Sequence, residues 1–217
     1  MSVSMSVWGP DLSGYQSGAN IAQIQQDGAS FVFLKASEGD ATDPAFAAHW
    51  KAARTKPTHL VRGAYHYGHT ENNPVTEATH FVNVVKTAGG FYEGDFAILD
   101  IEDVCPASHK VNAEQSAKWC KVWLDTVCKL TGLPVSRVIV YTGMWWWEPR
   151  AGSSTLCADH PLWLSGYSIQ PPAIVGWKSW TFWQYTDAKQ VQGAGKVDAS
   201  VFNGTVAASH KLSGLPS

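Results

Sequence analysis

The chain has 217 residues, 45% of them apolar and 16% charged, with a formal net charge of −2. This length suits one domain, or at most two, with a large buried core. The lack of a basic excess argues against nucleic acid or an anionic membrane as the main partner, and no apolar run approaches the roughly 18 residues of a membrane span.

In chain order, strand-like runs alternate with helical runs. The first strand is expected at residues 7–11. The second, 31–36, is apolar except for Lys35. Asp43-Pro44 then sets a capping side chain before a proline at a first helical position. A third strand is expected at 62–67, and Asn73-Pro74 repeats the same helix signal. The fourth strand is 96–102. After it, Asn112 with Gln115 resembles a capping box, and Gly132 ends that helix. On this helix Cys120, Trp123, Leu124 and Val127 repeat at i, i+3, i+4, i+7, which defines a buried stripe. The last strands are expected at 137–141, 162–165, 181–185 and 196–198.

Several of these strands are nearly continuous apolar runs, as in a parallel sheet buried on both faces. Alternation over the first 140 or so residues indicates an α/β architecture. The spacing then changes. From Asp11, key strand positions fall at 35, 65, 100 and 141, and then at 163, 184 and 198. The last interval is too short for a helical crossover. The expected fold is an irregular TIM-like β/α barrel, about five βα units followed by three strands with few helices. It is expected to be one domain over residues 1–217, with its core at about 7–203. An open doubly wound sheet is the alternative, but no Gly-rich phosphate loop follows the first strand.

Strand alternation puts Phe96, Ile98, Asp100 and Glu102 on one face. Two carboxylates about 6–7 Å apart at Cβ thus share the C-terminal end of a strand, where barrel active sites collect. Burying two acids together raises one pKa and leaves a proton donor beside an anion. That pairing suits glycosidic cleavage. A bare Asp-x-Glu is also compatible with a solvated strand end. Asp11 ends the first strand and Asp198 the last, which are neighbours in a closed barrel. Each has a second reading, as a turn former or a cap.

Tyr65, Tyr67, Tyr141, Trp163, Tyr167, Trp183 and Gln184 are expected on the same rim, a mixture that suits stacking on sugars and bonding to their hydroxyls. Lys35, inside an apolar strand, requires an acidic partner, and one of these carboxylates can serve. The eight histidines, His66, His69 and His80 among them, lie at no recognised metal spacing. No metal and no cofactor is expected. Cys105, Cys120, Cys128 and Cys157 fit no CxxC pattern. Cys120 and Cys128 are too far apart to bridge each other, and buried free thiols are the default over pairing with Cys105 or Cys157.

Gly9-Pro10-Asp11-Leu12-Ser13 with Gln16, residues 31–39 and Gly63-Ala64-Tyr65-His66-Tyr67 resemble successive blocks of glycoside hydrolase family 25, the Chalaropsis-type lysozymes. So do Leu99-Asp100-Ile101-Glu102, Val140-Tyr141-Thr142-Gly143, Pro161-Leu162-Trp163, Trp183-Gln184-Tyr185 and Val197-Asp198. The blocks follow the family order over about residues 7–203. The resemblance implies hydrolysis of the β-1,4 bond between N-acetylmuramic acid and N-acetylglucosamine in peptidoglycan. Glu102 would be the general acid, Asp100 its orienting or stabilising partner, and Asp11 and Asp198 the rest of an acidic floor. Tyr65, Lys35 and Gln184 match positions near the family's groove, and Tyr67, Tyr141, Trp163 and Trp183 are expected to bind substrate with them.

The partner expected on this basis is the glycan strand of peptidoglycan, met by a monomer that inserts in no membrane. Residues 1–8 carry neither a basic n-region nor an apolar h-region. The expectation is therefore a phage endolysin that reaches the wall by holin-type release, or a protein secreted by another route. A chitinase-like glycosidase and a non-catalytic glycan-binding barrel are the alternatives.

Overall fold

The computed structural model of the protein describes residues 7–54, 60–102, 111–205, 207–208 and 211. Eight strands close a barrel: β1 (Trp8–Leu12), β2 (Phe31–Glu38), β4 (Val61–Tyr67), β5 (Phe96–Asp100), β6 (Val138–Gly143), β7 (Leu162–Ser165), β8 (Phe182–Val191) and β9 (Gly195–Phe202). A two-residue strand, β3 (Ala41–Thr42), folds back on the end of β2. Helices α1 (Ile21–Gln26), α2 (Phe46–Ala52), α3 (Pro74–Thr87), α4 (Ala113–Thr131) and α5 (Met144–Ala151) follow β1, β3, β4, β5 and β6. This is the predicted order of five βα units and then three strands.

The closure differs from an all-parallel ring. Neighbours from β1 through β8 are parallel, but β9 runs antiparallel to both β8 and β1. The short interval from Gln184 to Asp198 is a hairpin. Asp198 therefore lies within its strand rather than at its end, as the sequence had suggested.

Side chains alternate across the barrel wall. Phe31, Phe33, Tyr65, Phe96, Ile98, Ile139, Tyr141, Trp163 and Phe182 fill the interior. Their rings meet at 4.4–6.2 Å between centroids, and each such pair adds about 0.5–1.5 kcal/mol beyond area burial. Gly63 makes room for them. A Cβ there would lie 2.7 Å from both Phe33 Cδ1 and Ile98 Cδ1. The opposite faces of the strands, with Val32, Leu34, Ala97, Leu99 and Val140, pack against the helices.

The α4 stripe of Cys120, Trp123, Leu124 and Val127 is buried there as its spacing predicts. Asn112 and Gln115 form the capping box, and Gly132 takes the left-handed conformation at φ 73° that a side chain resists. Asn73 caps α3 through Val75 N and Thr76 N. Asp43 does not cap α2. That helix begins at Phe46 after Ala45, without a side-chain cap. The Asp43 carboxylate instead accepts from Ala45 N at 2.9 Å and from Gly14 N at 2.8 Å, which ties the β1–α1 connection to the start of α2. Cys120, Cys128 and Cys157 are free thiols; Cys105 lies outside the described residues.

Candidate active site

Parallel strands bring their C-terminal ends to one mouth, and the acids collect there. Phe96 and Ile98 point inward, so Asp100 at the end of β5 continues the inward row and is buried. Ile101 N donates to Tyr141 O at 2.9 Å, which carries the extended path one rung further. Glu102 thereby returns to the same side, two residues beyond the strand. Across the mouth, Asp11 of β1 and Asp198 of β9 are register partners. Gln184 of β8 joins them: its Nε2 donates to Asp11 Oδ2 at 3.1 Å and to Asp198 Oδ2 at 3.3 Å. Its Oε1 accepts from Tyr141 Oη at 2.7 Å and from Tyr167 Oη at 3.2 Å. With the carboxyls ionised they only accept, which orients the amide with its NH2 toward Asp11 and Asp198.

The four acids perturb one another. Burial first, then the charge of Glu102, raises Asp100 well above the ordinary carboxylate range, against the pull of Lys35. Burial and then Asp198 raise Asp11 in the same way. Glu102 is raised by burial and by Asp198, and Asp198 by burial and Asp187. The site thus holds protons on carboxyl groups at pH values where exposed acids have lost theirs. Asp100 Oδ1 is buried and has no hydrogen-bond partner among the described residues.

Lys35 finds its direct partner three residues on. Its Nζ donates to Glu38 Oε2 at 2.5 Å rather than to one of the four acids. Glu38 Oε1 lies 3.4 Å from His69 Nε2. Lys35 also sits 5.2 Å from the centroid of the Tyr67 ring. Behind this row, His66 is fully buried. Its Nε2 meets Glu77 Oε2 at 2.8 Å and its Nδ1 meets Ser37 Oγ at 2.9 Å. A carboxylate accepts, so Nε2 carries the proton and the Ser37 hydroxyl donates to Nδ1. Burial lowers the basicity of His66 against the pull of Glu77. This network pins β2 to β4 where they carry Lys35, Tyr65 and Tyr67.

One cavity of about 240 Å³ is lined by Asp11, Asp100, Glu102 and Asp198 together with Lys35, Tyr65, Tyr67, Tyr141, Trp163 and Gln184. Every residue assigned to the site from sequence is thus brought together except Trp183. The pleat that turns Phe182 and Gln184 inward turns Trp183 outward. There its Nε1 donates to Gly166 O at 2.8 Å, and its ring packs against the outer core. Tyr15 also lines the cavity. The sequence reading missed it, although its place four residues after Asp11 was the available signal.

The family model described as glycosyl hydrolases family 25 matches residues 10–194. The chain belongs to this family. It is therefore a glycoside hydrolase, and a mouth of buried, proton-holding carboxyls is the chemistry such an enzyme requires. This family 25 chain is 30% identical over 211 residues to the N,O-diacetylmuramidase of Chalaropsis sp, covering 91% of this chain and 97% of that one. Its fold matches the bacterial lysozyme from Streptomyces coelicolor with a TM-score of 0.84 and 27% identity, over 96% of this chain and 97% of the other. The muramidase from Trichobolus zukalii matches with a TM-score of 0.82 and 30% identity, over 96% and 100% of the two chains.

Proposed function

We propose that this family 25 hydrolase is a muramidase, cleaving the β-1,4 bond between N-acetylmuramic acid and N-acetylglucosamine in the peptidoglycan of the bacterial cell wall. Relatives named as muramidases and lysozymes support the substrate. The observation that carries the chemistry is the buried Asp100–Glu102 pair, with raised proton affinity and an unpartnered Asp100 Oδ1.

Neither of the two carboxyls needs to be a nucleophile. The 2-acetamido N–H of the substrate donates to Asp100 Oδ1, which favours the Asp100 anion and leaves the shared proton on Glu102. Glu102 gives that proton to the glycosidic oxygen as the bond to C1 breaks. The acetamido oxygen forms its bond to C1 from the opposite face. Water then attacks C1 while Glu102 takes back a proton, and the acetamido oxygen departs. Two inversions give net retention.

The test is to digest purified peptidoglycan, reduce the new ends with borohydride and identify the sugar alcohol. Muramitol from the wild type and none from Glu102→Gln is the expected result. Glucosaminitol would overturn the bond assignment, and the absence of any new reducing end would overturn the glycosidase reading. Proton NMR of the first-formed anomer tests the stereochemistry: the β anomer is expected, and early α product excludes retention.

A further inference from the structure

Among the described residues, Tyr15, Trp145 and Tyr167 are large aromatic side chains exposed at the barrel mouth; the Tyr167 hydroxyl is tied to Gln184, whereas the rings of Tyr15 and Trp145 stand outside the packed core. Tyr15 is 95% exposed and Trp145 is 57% exposed. Exposed rings of this size cost water contact, and the surrounding chain holds each one firmly.

Tyr15 is the middle residue of a 3-10 turn, Gly14–Gln16, that directly follows β1. The turn is closed by a capping box: Ser13 N donates to Gln16 Oε1 at 3.1 Å, and Tyr15 N donates to Ser13 Oγ at 3.3 Å. Asp43 anchors it from outside through Gly14 N. The backbone is thus fixed by three side chains, yet the phenol contributes nothing to the core. It borders the acid cavity.

Trp145 follows β6 by two residues. Gly143 pairs with Ser165, in the same inward-facing series as Tyr141 and Trp163. A Cβ on Gly143 would lie 2.0 Å from Trp145 Nε1 and 2.4 Å from its Cδ1. The indole therefore lies over the inward face of Gly143, at the mouth above Tyr141, and only glycine leaves it that position.

Strand order fixes the relation between the two rings. From β1 to β6 there are four steps through β2, β4 and β5, and four through β9, β8 and β7. Tyr15 and Trp145 thus follow strands on opposite sides of the barrel. Asp11 lies on the strand that leads to the first ring, and Asp100 ends β5, with Glu102 just beyond it, beside the strand that leads to the second. We infer that Tyr15 and Trp145 are sugar-stacking platforms at the two ends of the binding cleft, so that a glycan strand crosses the barrel mouth along the β1–β6 diameter. The inference rests on the muramidase reading for its polymer. Aromatic faces bind the apolar faces of sugar rings in any sequence of residues, so the platforms serve length rather than bond choice.

The experiment compares Tyr15→Ala, Trp145→Ala and Tyr15→Phe with the wild type. Each is assayed for cleavage of long purified glycan strands and of a single tetrasaccharide fragment, and for binding of long strands by co-sedimentation. The expected result is an about tenfold rise in KM on long strands for each alanine variant, equivalent to about 1.4 kcal/mol. Their kcat and melting temperature should stay near wild type, their KM on the short fragment should rise less, and Tyr15→Phe should restore binding. Alanine variants with KM within twofold of wild type on long strands would overturn the inference while leaving the muramidase reading intact. A wild type that binds strands without cleaving them, with binding lost in the alanine variants, would overturn the reaction and keep the platforms. A wild type that does neither overturns both.

Discussion

Asp11 and Asp198 face each other across the β1–β9 pair, and one side-chain amide, that of Gln184, donates to both. Two like charges at adjacent strand positions repel unless a shared donor stands between them. The same amide accepts from Tyr141. Gln184→Leu removes these bonds at once, and with them the one Oε1 accepts from Tyr167. Unsatisfied buried polar groups cost about 1–3 kcal/mol each, and more if charged. A loss of roughly 2–4 kcal/mol is expected, seen by calorimetry as a melting temperature about 4–16 °C lower. The defect should shrink as pH falls and both acids, raised by burial and by neighbouring charge, take up protons, and turnover should fall at least about tenfold.

Asp100→Asn separates stability from catalysis. The folded state raises the Asp100 pKa above its unfolded value of about 3.9. Its contribution to stability is therefore full below about pH 4 and is lost as pH rises through the folded pKa. Asparagine has no proton to lose. The variant should melt higher than wild type at pH 7, by about 2–4 °C for each kcal/mol gained, and this advantage should fade toward pH 4. Turnover should drop by about 10²-fold or more. A melting temperature at pH 7 that is unchanged or lower would contradict the assignment.

Lys35→Met removes the cation that holds down both Asp100 and Glu102. The pair should keep its proton to higher pH, and the alkaline limb of kcat/KM should move upward. Glu38 is left partly in water and tolerates the loss. A limb that moves downward would place Lys35 outside the field of the pair.

His66→Leu leaves Glu77 buried beneath β4 without its imidazole donor. A loss of roughly 2–4 kcal/mol is expected. The pH signature is opposite in sign to that of the acids. Burial lowers the folded pKa of His66 below its unfolded value of about 6.5. Its contribution is full above that pH and is lost as pH falls toward the folded pKa. The stability curve of the variant between pH 6.5 and 5 should be flatter than that of wild type, as denaturant midpoints would show.

The barrel is legible because its strands are short apolar runs at spacings that leave room for five helices and then do not. Strand direction is less so. A hairpin and a tight crossover look alike until the ladder is known, which is why Asp198 reads as a strand end when it lies mid-strand. The site is legible where chemistry alone is unusual: acids and a lysine inside apolar strands need a reason. Trp183 shows the limit of composition. An aromatic residue between two inward-facing ones must face outward, so period-two alternation argues against it. Asp43 reads as a cap because Asp-Pro so often is one, and only the fold shows that its carboxylate holds a distant turn. Tyr15 escapes because an exposed ring on a turn has no burial pattern.

The acids at the mouth sit on strands or, for Glu102, just beyond one. Pairing with β2 and β9 fixes Asp11, and pairing with β1 together with the Gln184 amide holds Asp198. Such a centre is finished before the polymer arrives. That suits work on a solid mesh, where the enzyme must settle onto a fibre it cannot engulf.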